Sequence, residues 1–199
     1  SDGQYYDIIQ NRMEDEISKL MYGIYINGAA VKSHIQDNRI YMRTQFGINN
    51  HYPIGITFRP VVNTLPQFIF IQDNVVNINT KAGIGINLQN TNSGVNVVKN
   101  FVGIHPPQPA ANNTGNISAG IYINKGNGTI FRQNILEGDM TLLLNSNPNF
   151  SEGMRMTQSM NCLLECNTFK KTIYGLQVVG NCITGVGRVR GNKFNYHAN

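Results

Sequence analysis

The sequence predicts an all-β parallel solenoid, in which short strands stack coil upon coil. Two patterns that recur along the chain predict it. The first is a glycine followed by an apolar, a variable and a second apolar residue. The second is an apolar residue, two variable residues, an asparagine, one variable residue and another apolar residue. Successive asparagines are roughly 25 to 36 residues apart, a spacing found in repeat architectures.

The glycine pattern predicts the first strand of each coil. Its apolar residues alternate with period 2, which is typical of a strand with one buried face. The middle residue of each triplet should therefore point outward. The pattern begins at Gly23, Gly55, Gly83, Gly120, Gly153 and Gly175. The outward row that it predicts is Tyr25, Thr57, Gly85, Tyr122, Arg155 and Gln177.

The asparagine pattern predicts a tight corner between two short strands. Asparagine tolerates the left-handed conformation, so we expect it to occupy the corner itself. Stacked asparagines should also form a ladder of side-chain hydrogen bonds. The members of this predicted ladder are Asn11, Asn38, Asn74, Asn100, Asn134, Asn167 and Asn192. One coil cannot bury its own apolar face, whereas several stacked coils can.

One stretch near the N-terminus departs from the strand pattern. In residues 12–21, Met13, Ile17 and Leu20 fall at helical spacing, with acidic residues early and Lys19 late, as the helix dipole favours. The sequence therefore predicts one short helix here, packed against the solenoid. A helix that binds a partner is the alternative.

The glycine and asparagine patterns carry a resemblance that covers nearly the whole chain. Gly-Ile-x-Ile followed by Ile-x-x-Asn-x-Ile resembles the repeats of right-handed parallel β-helix proteins of the pectin-lyase-like superfamily. A looser resemblance, through Cys166-Asn167-Thr168-Phe169 and Tyr174-Gly175-Leu176, is to secreted Bacteroidota proteins with β-helix passengers. The resemblance implies about seven coils and a secreted or cell-surface location. The superfamily holds lyases, hydrolases, tailspikes and adhesins, so the fold does not settle function.

Composition and length define the class of protein further. The 199 residues carry a net charge of +5, but only 14% are charged and the basic residues are scattered. This indicates a solvated repeat surface rather than a nucleic-acid stripe. No apolar run is long enough to span a membrane.

We expect residues 1–199 to form a single β-helix domain. The missing glycine half of the first coil and the absence of end caps suggest a piece of a longer protein with neighbouring domains.

The connections of greatest length predict where a ligand binds. Residues 41–54, 103–119 and 137–152 form long loops on one edge of the scaffold, where repeat proteins place binding function. Two of them carry His51, Tyr52 and His105, side chains suited to sugar rings. With the outward residues Tyr25, Tyr122, Arg155 and Gln177, these form the predicted binding set. The leading function is therefore a rigid, non-catalytic module for adhesion or for contact with a polysaccharide or cell-surface glycan.

Two other functions compete with this one. A lyase or glycoside hydrolase would use Arg155 and Tyr122, the basic and aromatic pair on the predicted groove, with Glu152 and Glu137 nearby in sequence. Hydrolysis ordinarily requires two carboxylates, and the predicted row has none. We predict no cofactor. The resemblance implies calcium only if the protein is a lyase, because lyases of this superfamily typically hold calcium with acidic residues. The second competitor is a structural spacer or a fibre of the phage-tail type.

Two smaller sets of residues complete the predictions. Arg132, Glu165 and Arg190 share one register, which predicts an exposed ladder of alternating charge with a structural role. Cys162 and Cys182 lie at similar offsets after Gly153 and Gly175, so we predict a disulfide between them if the protein is oxidised. The histidines share no metal-ligand spacing, and we assign no metal site.

Overall fold

The computed structural model describes residues 4–15, 22–28, 30–43, 53–60, 68–79, 83–91, 94–105, 118–138, 151–180, 182 and 187–195. Within these ranges every regular element is a β-strand, and the strands form three parallel sheets, here called A, B and C. The chain visits the three sheets in turn. The protein is therefore a right-handed parallel β-helix, with seven coils represented in sheets A and B.

The strands of each sheet stack in chain order. Sheet A contains β1 (Gln4–Ile9), β4 (Ala30–Gln36), β7 (Phe68–Gln72), β10 (Val95–Val98), β13 (Ile130–Arg132), β16 (Leu163–Glu165) and β19 (Arg188–Arg190). Sheet B contains β2 (Arg12–Asp15), β5 (Arg39–Arg43), β8 (Val75–Asn79), β11 (Phe101–Ile104), β14 (Ile135–Glu137), β17 (Thr168–Lys170) and β20 (Lys193–Asn195). Sheet C contains β3 (Tyr22–Gly28), β6 (Ile54–Pro60), β9 (Gly83–Gln89), β12 (Ser118–Asn124), β15 (Ser151–Thr157) and β18 (Tyr174–Val179).

Apolar side chains from the three sheets fill the interior of the solenoid. In sheet A, Ile71, Val97 and Phe131 are paired in register on successive strands, and all three are fully buried. Full burial of a side chain of this size contributes about 1.5–3 kcal/mol. Because every coil adds such residues to the same columns, the core is continuous along the axis.

A column of glycines sets the close approach of sheet C to sheet B. A Cβ atom on Gly120 would lie 2.7 Å from the carbonyl oxygen of Gly153 and 3.4 Å from the Leu136 side chain. The column runs through Gly23, Gly55, Gly85, Gly120, Gly153 and Gly175. The sequence-based alignment was therefore wrong in the third coil, where the glycine pattern begins at Gly85 rather than at Gly83. Ile86 and Leu88 are its buried apolar residues.

The predicted asparagine ladder is confirmed over all seven members. At each step the side-chain Nδ2 of one asparagine donates to Oδ1 of the next, at 2.9–3.0 Å. The same Oδ1 also accepts the backbone N–H of the preceding asparagine. From Asn38 onward, Nδ2 also donates to a backbone carbonyl of the preceding coil. The amides of the interior members are thus fully hydrogen-bonded.

The asparagines do not themselves adopt the left-handed conformation that we predicted for them. The residue before each asparagine does, with φ between 54° and 63°. These corner residues are Gln10, Asp37, Asp73, Lys99, Gln133, Cys166 and Gly191. The kink at the preceding residue turns the asparagine side chain inward, and Asn38, Asn74, Asn100, Asn134 and Asn167 are at most 1% exposed.

The helix predicted for residues 12–21 is wrong in its described part. Residues 12–15 form strand β2, which pairs in parallel with β5, so that Met13 lies beside Ile40. Met13 is half-buried against the core. Tertiary pairing has overridden the local helical spacing here. Residues 16–21 lie outside the described residues.

Candidate functional site

The outward row predicted on sheet C exists, with one change of membership. Register pairing joins Tyr25 to Thr57, and Tyr122 to Arg155 and then Gln177. Between Thr57 and Tyr122 the row contains Asn87 rather than Gly85, because Asn87 pairs with both of them. Gly85 lies in the glycine column instead. We call this row, Tyr25-Thr57-Asn87-Tyr122-Arg155-Gln177, the outer row of sheet C.

Exposure along the outer row is uneven. Thr57 and Asn87 are buried even though they lie on the face opposite the core, whereas Tyr25 is 47% exposed. Tyr122 and Gln177 are half-buried, and the Arg155 side chain is 27% exposed. A ligand therefore has access to the C-terminal half of the row and to Tyr25 at its N-terminal end.

Arg155 is paired with a buried carboxylate. Glu152 Oε1 lies 3.3 Å from an Arg155 guanidinium nitrogen, while Glu152 as a residue is only 5% exposed. Burial raises the pKa of the Glu152 carboxyl, and the Arg155 charge opposes this only in part. The second oxygen, Oε2, is buried without a hydrogen-bond partner. Arg155 is thus held from one side by a buried carboxyl.

Several buried oxygens of this face lack hydrogen-bond partners. They are Thr57 Oγ1, Asn87 Oδ1, Gln177 Oε1 and Glu152 Oε2. Most buried polar side-chain atoms in proteins are paired, so a concentration of unpaired ones on a single face is unusual. Thr57 and Asn87 belong to the buried half of the row, whereas Gln177 and Glu152 lie beside its accessible half. One further unpaired oxygen, Asn79 Oδ1, belongs to sheet B.

From the sequence, Glu152 was named only as a neighbour of Arg155 in the chain, and Tyr174 was not predicted as a site residue. They lie side by side in register, in the column that precedes the glycines. The other members of this column are Tyr22, Ile54, Ile84 and Ala119. A carboxylate within a largely apolar column is the signal that would have identified Glu152. Tyr174 is 43% exposed beside it and adds an aromatic ring to the accessible end of the face.

The remaining predicted site residues lie elsewhere. His51 and Tyr52 are outside the described residues. His105 follows β11 of sheet B, where its ring lies close to Gly103. Glu137 is also on sheet B and pairs with Lys171 at 3.6 Å. Of the two acidic residues expected near Arg155, the structure therefore brings only Glu152 to it. At the N-terminal end of sheet C, Tyr25 packs on Tyr22 with ring centroids 4.7 Å apart.

The charge ladder on sheet A is confirmed, although its central carboxylate is not exposed as predicted. Glu165 accepts hydrogen bonds from Arg132, at 2.5 and 2.9 Å, and from Arg190. Its side chain is 5% exposed because the two guanidinium groups cover it. Glu165 and Arg190 also line an open cleft of about 360 Å³. Paired on both sides in this way, Glu165 cross-links three successive coils.

This ladder predicts an acid-dependent loss of stability. Hydrogen bonds from Arg132, and then from Arg190, lower the pKa of Glu165 below its ordinary value of 4.5. The stabilisation is therefore fully present above the unfolded-state pKa and is lost as the pH falls through the folded-state value. We expect Glu165→Gln to lower the urea midpoint at neutral pH and to flatten its decline in acid. Glu14→Gln, at an exposed pair with Arg12, is the matched control; equal effects of the two substitutions would contradict the prediction.

The three cysteines are free thiols, and the predicted disulfide remains a prediction. The expected register of the pair is not observed: Cys162 stacks on Gly187, and Cys182 Sγ lies 3.4 Å from the backbone nitrogen of Ser159. Burial raises the pKa of Cys162 to about 11. Its thiol is therefore protonated at neutral pH and a poor nucleophile.

The described residues contain no group of three or more His, Cys, Asp or Glu side chains arranged to hold a metal ion. Over the same ranges, no helix has the length and apolarity needed to cross a membrane.

The geometry defines the class of protein as a parallel β-helix with one polar, partly accessible outer face. Comparison with known proteins adds no family to this. No protein-family model, curated protein or solved structure matches the chain.

Proposed function

We propose that the protein is a non-catalytic extracellular or cell-surface module that binds carbohydrate at the C-terminal half of the outer row of sheet C. The observation that carries this proposal is the cluster of Tyr122, Arg155 and Gln177 in register on adjacent strands, with buried unpaired oxygens beside it. The resemblance to pectin-lyase-like β-helices, and more loosely to secreted Bacteroidota proteins, supports the same class.

The chemistry of the cluster suits an extended glycan. Tyr122 and Tyr174 provide aromatic surface for the apolar faces of sugar rings. Arg155 provides several donors in a fixed fork, and Gln177 can donate and accept. Because these side chains stand on successive strands of a rigid stack, little conformational entropy is lost when a ligand binds. The row runs across the strands, along the axis of the solenoid. An extended polymer lying on it can therefore contact one side chain of the row in each coil.

A polysaccharide lyase or glycoside hydrolase is the second candidate, and Glu152 is the observation that favours it. Its raised pKa and its contact with Arg155 are typical of a group that transfers protons. A hydrolase would need a second carboxylate across the scissile bond. Within the described residues, Glu152 is the one carboxylate paired with Arg155. Because a second carboxylate is missing from this pair, we favour binding over hydrolysis. A structural spacer or phage-tail-type fibre is the third candidate.

The proposal is tested by measuring retention and turnover on immobilised neutral and acidic polysaccharides, with and without calcium. We expect retention on at least one glycan, no new reducing ends and no unsaturated products. Arg155→Ala should weaken retention at least about tenfold, the usual loss for a central contact. Arg59→Ala, an exposed arginine on the same sheet, should leave retention unchanged. Circular dichroism checks that both variants remain folded.

The other outcomes discriminate among the alternatives. Turnover that is lost in both Glu152→Gln and Arg155→Ala would make the protein an enzyme. Retention that is equally weak in Arg59→Ala and Arg155→Ala would indicate non-specific charge attraction. Neither retention nor turnover on any glycan would favour the spacer.

A further inference from the structure

The outer face of sheet A, formed by the side chains that point away from the core, has two unlike halves. Phe68 on β7 is 56% exposed, and Phe70, two residues further along, stacks on His34 with ring centroids 5.5 Å apart. On the later strands of the same face, Gly128 and Ile130 line the open cleft of about 360 Å³. One half of the face therefore presents aromatic rings, and the other half presents a recess.

One register column of this face runs through all seven described strands of sheet A. In chain order its members are Asp7, His34, Phe70, Asn96, Ile130, Leu163 and Arg188. Reversing this order about Asn96 brings Phe70 opposite Ile130, and it also brings the acid Asp7 opposite the base Arg188. Arg188 is exposed and, within the described residues, has no carboxylate partner. The column is therefore complementary to a reversed copy of itself.

We propose that two copies of this chain pair through the outer faces of their A sheets, with the solenoid axes antiparallel. The twofold axis of the pair runs along the strand direction through Asn96. Phe70 of each copy packs on Ile130 of the other copy. At both ends of the column, Asp7 of one copy forms an ion pair with Arg188 of the other. Such a contact uses the same surface of both copies, so it closes at two.

The column on one side brings an aromatic ring to the recess. Phe68 precedes Phe70 by two residues, and Gly128 precedes Ile130 by two. The reversed arrangement therefore brings Phe68 opposite the cleft, where Gly128 has no side chain to obstruct the ring. A buried aromatic side chain covers about 150–250 Å², so Phe68 is the main apolar contact of the pair.

The column on the other side also fits the antiparallel arrangement. Its members are Ile9, Gln36, Gln72, Val98, Arg132, Glu165 and Arg190. Reversed about Val98, this column places Gln36 opposite Glu165. It likewise places Gln72 opposite Arg132. An amide can donate to a carboxylate and accept from a guanidinium, so these contacts bring no like charges together.

Charge disfavours the other symmetric way of facing the two sheets. A twofold axis along the solenoid would make the two solenoid axes parallel and place each member of the middle column opposite itself. Asp7 would then face Asp7, and Arg188 would face Arg188. Like charges brought together at an interface weaken association. The antiparallel pair has opposite charges at these positions instead.

The size of the face sets the strength of the pairing. Seven strands about 4.8 Å apart extend about 29 Å along the axis, and three columns of alternate residues extend about 13 Å across it. With side chains included, the pair covers roughly 600 Å² of each copy, below the roughly 800 Å² of a standard interface. We therefore expect a dimer that dissociates on dilution. Because the contact lies on the side of the solenoid, it depends neither on where the solenoid ends nor on the proposed glycan site of sheet C.

Sedimentation equilibrium of the chain over a range of concentrations tests the pairing. We expect a reversible monomer–dimer equilibrium, and Phe68→Asp should raise the dissociation constant at least about tenfold because it introduces a charge into the apolar contact. Tyr41→Asp is the matched control, since Tyr41 is 36% exposed but lies on sheet B. Circular dichroism checks that both variants remain folded. A monomer at every concentration would overturn the proposal, as would a dimer that Tyr41→Asp weakens as much as Phe68→Asp.

Charge reversal tests the antiparallel direction. Asp7→Arg alone and Arg188→Asp alone should each raise the dissociation constant several-fold, because each brings like charges together. The two substitutions combined in one chain should restore the affinity, since opposite charges then meet again. Parallel axes predict no such restoration. A combined variant that dimerises no better than the single variants would contradict the antiparallel arrangement.

Crosslinking tests the position of the twofold axis. Packed sheets lie about 10 Å apart, a distance that a short bismaleimide spans. With the three native cysteines replaced by alanine, Asn96→Cys should give covalent dimers because Asn96 faces its own copy on the axis. His34 lies two strands from Asn96, so its two copies are about 19 Å apart along the axis and His34→Cys should crosslink far less. A higher yield from His34→Cys would indicate parallel axes, and either that result or equal yields would overturn the proposal.

Discussion

Asn134→Ala is expected to destabilise the fold by about 4 kcal/mol, since each buried partner left without a hydrogen bond costs roughly 1–3 kcal/mol. Asn134 Oδ1 accepts from the backbone N–H and from Nδ2 of Asn100, and its own Nδ2 donates to Val97 and Asn167. All four bonds disappear in the variant, and the buried N–H of Asn100 is left unpaired. This loss is a large part of the stability of an ordinary domain. It is measured from the urea denaturation curve, followed by circular dichroism.

The same ladder provides a matched control for this prediction. Asn11 is exposed at the N-terminal end and donates to Asn38, so Asn11→Ala removes side-chain bonds that water can replace. We expect it to cost about 1 kcal/mol or less. If Asn134→Ala costs no more than Asn11→Ala, the buried ladder does not contribute to stability in the way described.

A second substitution at Asn134 separates hydrogen bonding from volume. Asn134→Asp keeps the shape and the acceptor but directs a charged oxygen at the carbonyl of Val97 and at Asn167 Oδ1. Burial should raise the pKa of the new carboxyl, so its protonated form is favoured in the folded state. The variant should therefore recover stability as the pH falls below the raised pKa, whereas Asn134→Ala should not. Parallel acid dependence in the two variants would contradict this account.

The periodic part of the fold was predictable because each coil of the solenoid has the same pattern of apolar residues and asparagine in the sequence. Every asparagine chosen from the sequence lies in the ladder, and the apolar residues around them fill the core. The strand character of residues 12–15 was not predictable from local spacing, because Met13 satisfies both a helical and a strand pattern. Pairing of β2 with β5 decides between the two patterns, and this pairing depends on tertiary structure.

The outer face was predictable in outline but not in composition. In Gly83-Ile84-Gly85-Ile86 either glycine can begin the pattern, and only Leu88 favours the later choice. The wrong choice placed Gly85 in the outer row and hid Asn87. Glu152 was named from the sequence only as a neighbour of Arg155 in the chain, since its contact with Arg155 depends on how the column before the glycines stacks. The burial of Thr57 has no signal in the sequence, because alternation predicts an outward side chain there.

Gly85→Ala is expected to cost about 3 kcal/mol, at the upper end of the usual cost of overpacking a tight site. An added Cβ would lie 2.5 Å from the carbonyl oxygen of Gly120 and would also overlap the Val102 side chain. Relief would require sheet C to move away from sheet B, which the stacked coils on both sides resist. The urea midpoint and the melting temperature both measure the loss.

The control for Gly85→Ala is an exposed glycine whose added Cβ atom would meet a much milder contact. A Cβ on Gly187 would meet its nearest atom, the Cys162 carbonyl oxygen, at 3.3 Å, and Gly187 is exposed. Gly187→Ala should therefore change stability by less than about 1 kcal/mol. Combining Val102→Ala with Gly85→Ala should recover only part of the loss caused by Gly85→Ala, because the clash with the Gly120 carbonyl remains.

The result at Gly85 also decides between the two alignments of the third coil. If Gly85 occupied the outward position that the sequence suggested, alanine there would be tolerated, and it would even stabilise the strand by about 0.5–1 kcal/mol through the unfolded state. A loss of about 3 kcal/mol instead places Gly85 in the glycine column. Because the two alignments predict opposite signs, one denaturation curve fixes whether Asn87 belongs to the row that carries Tyr122 and Arg155.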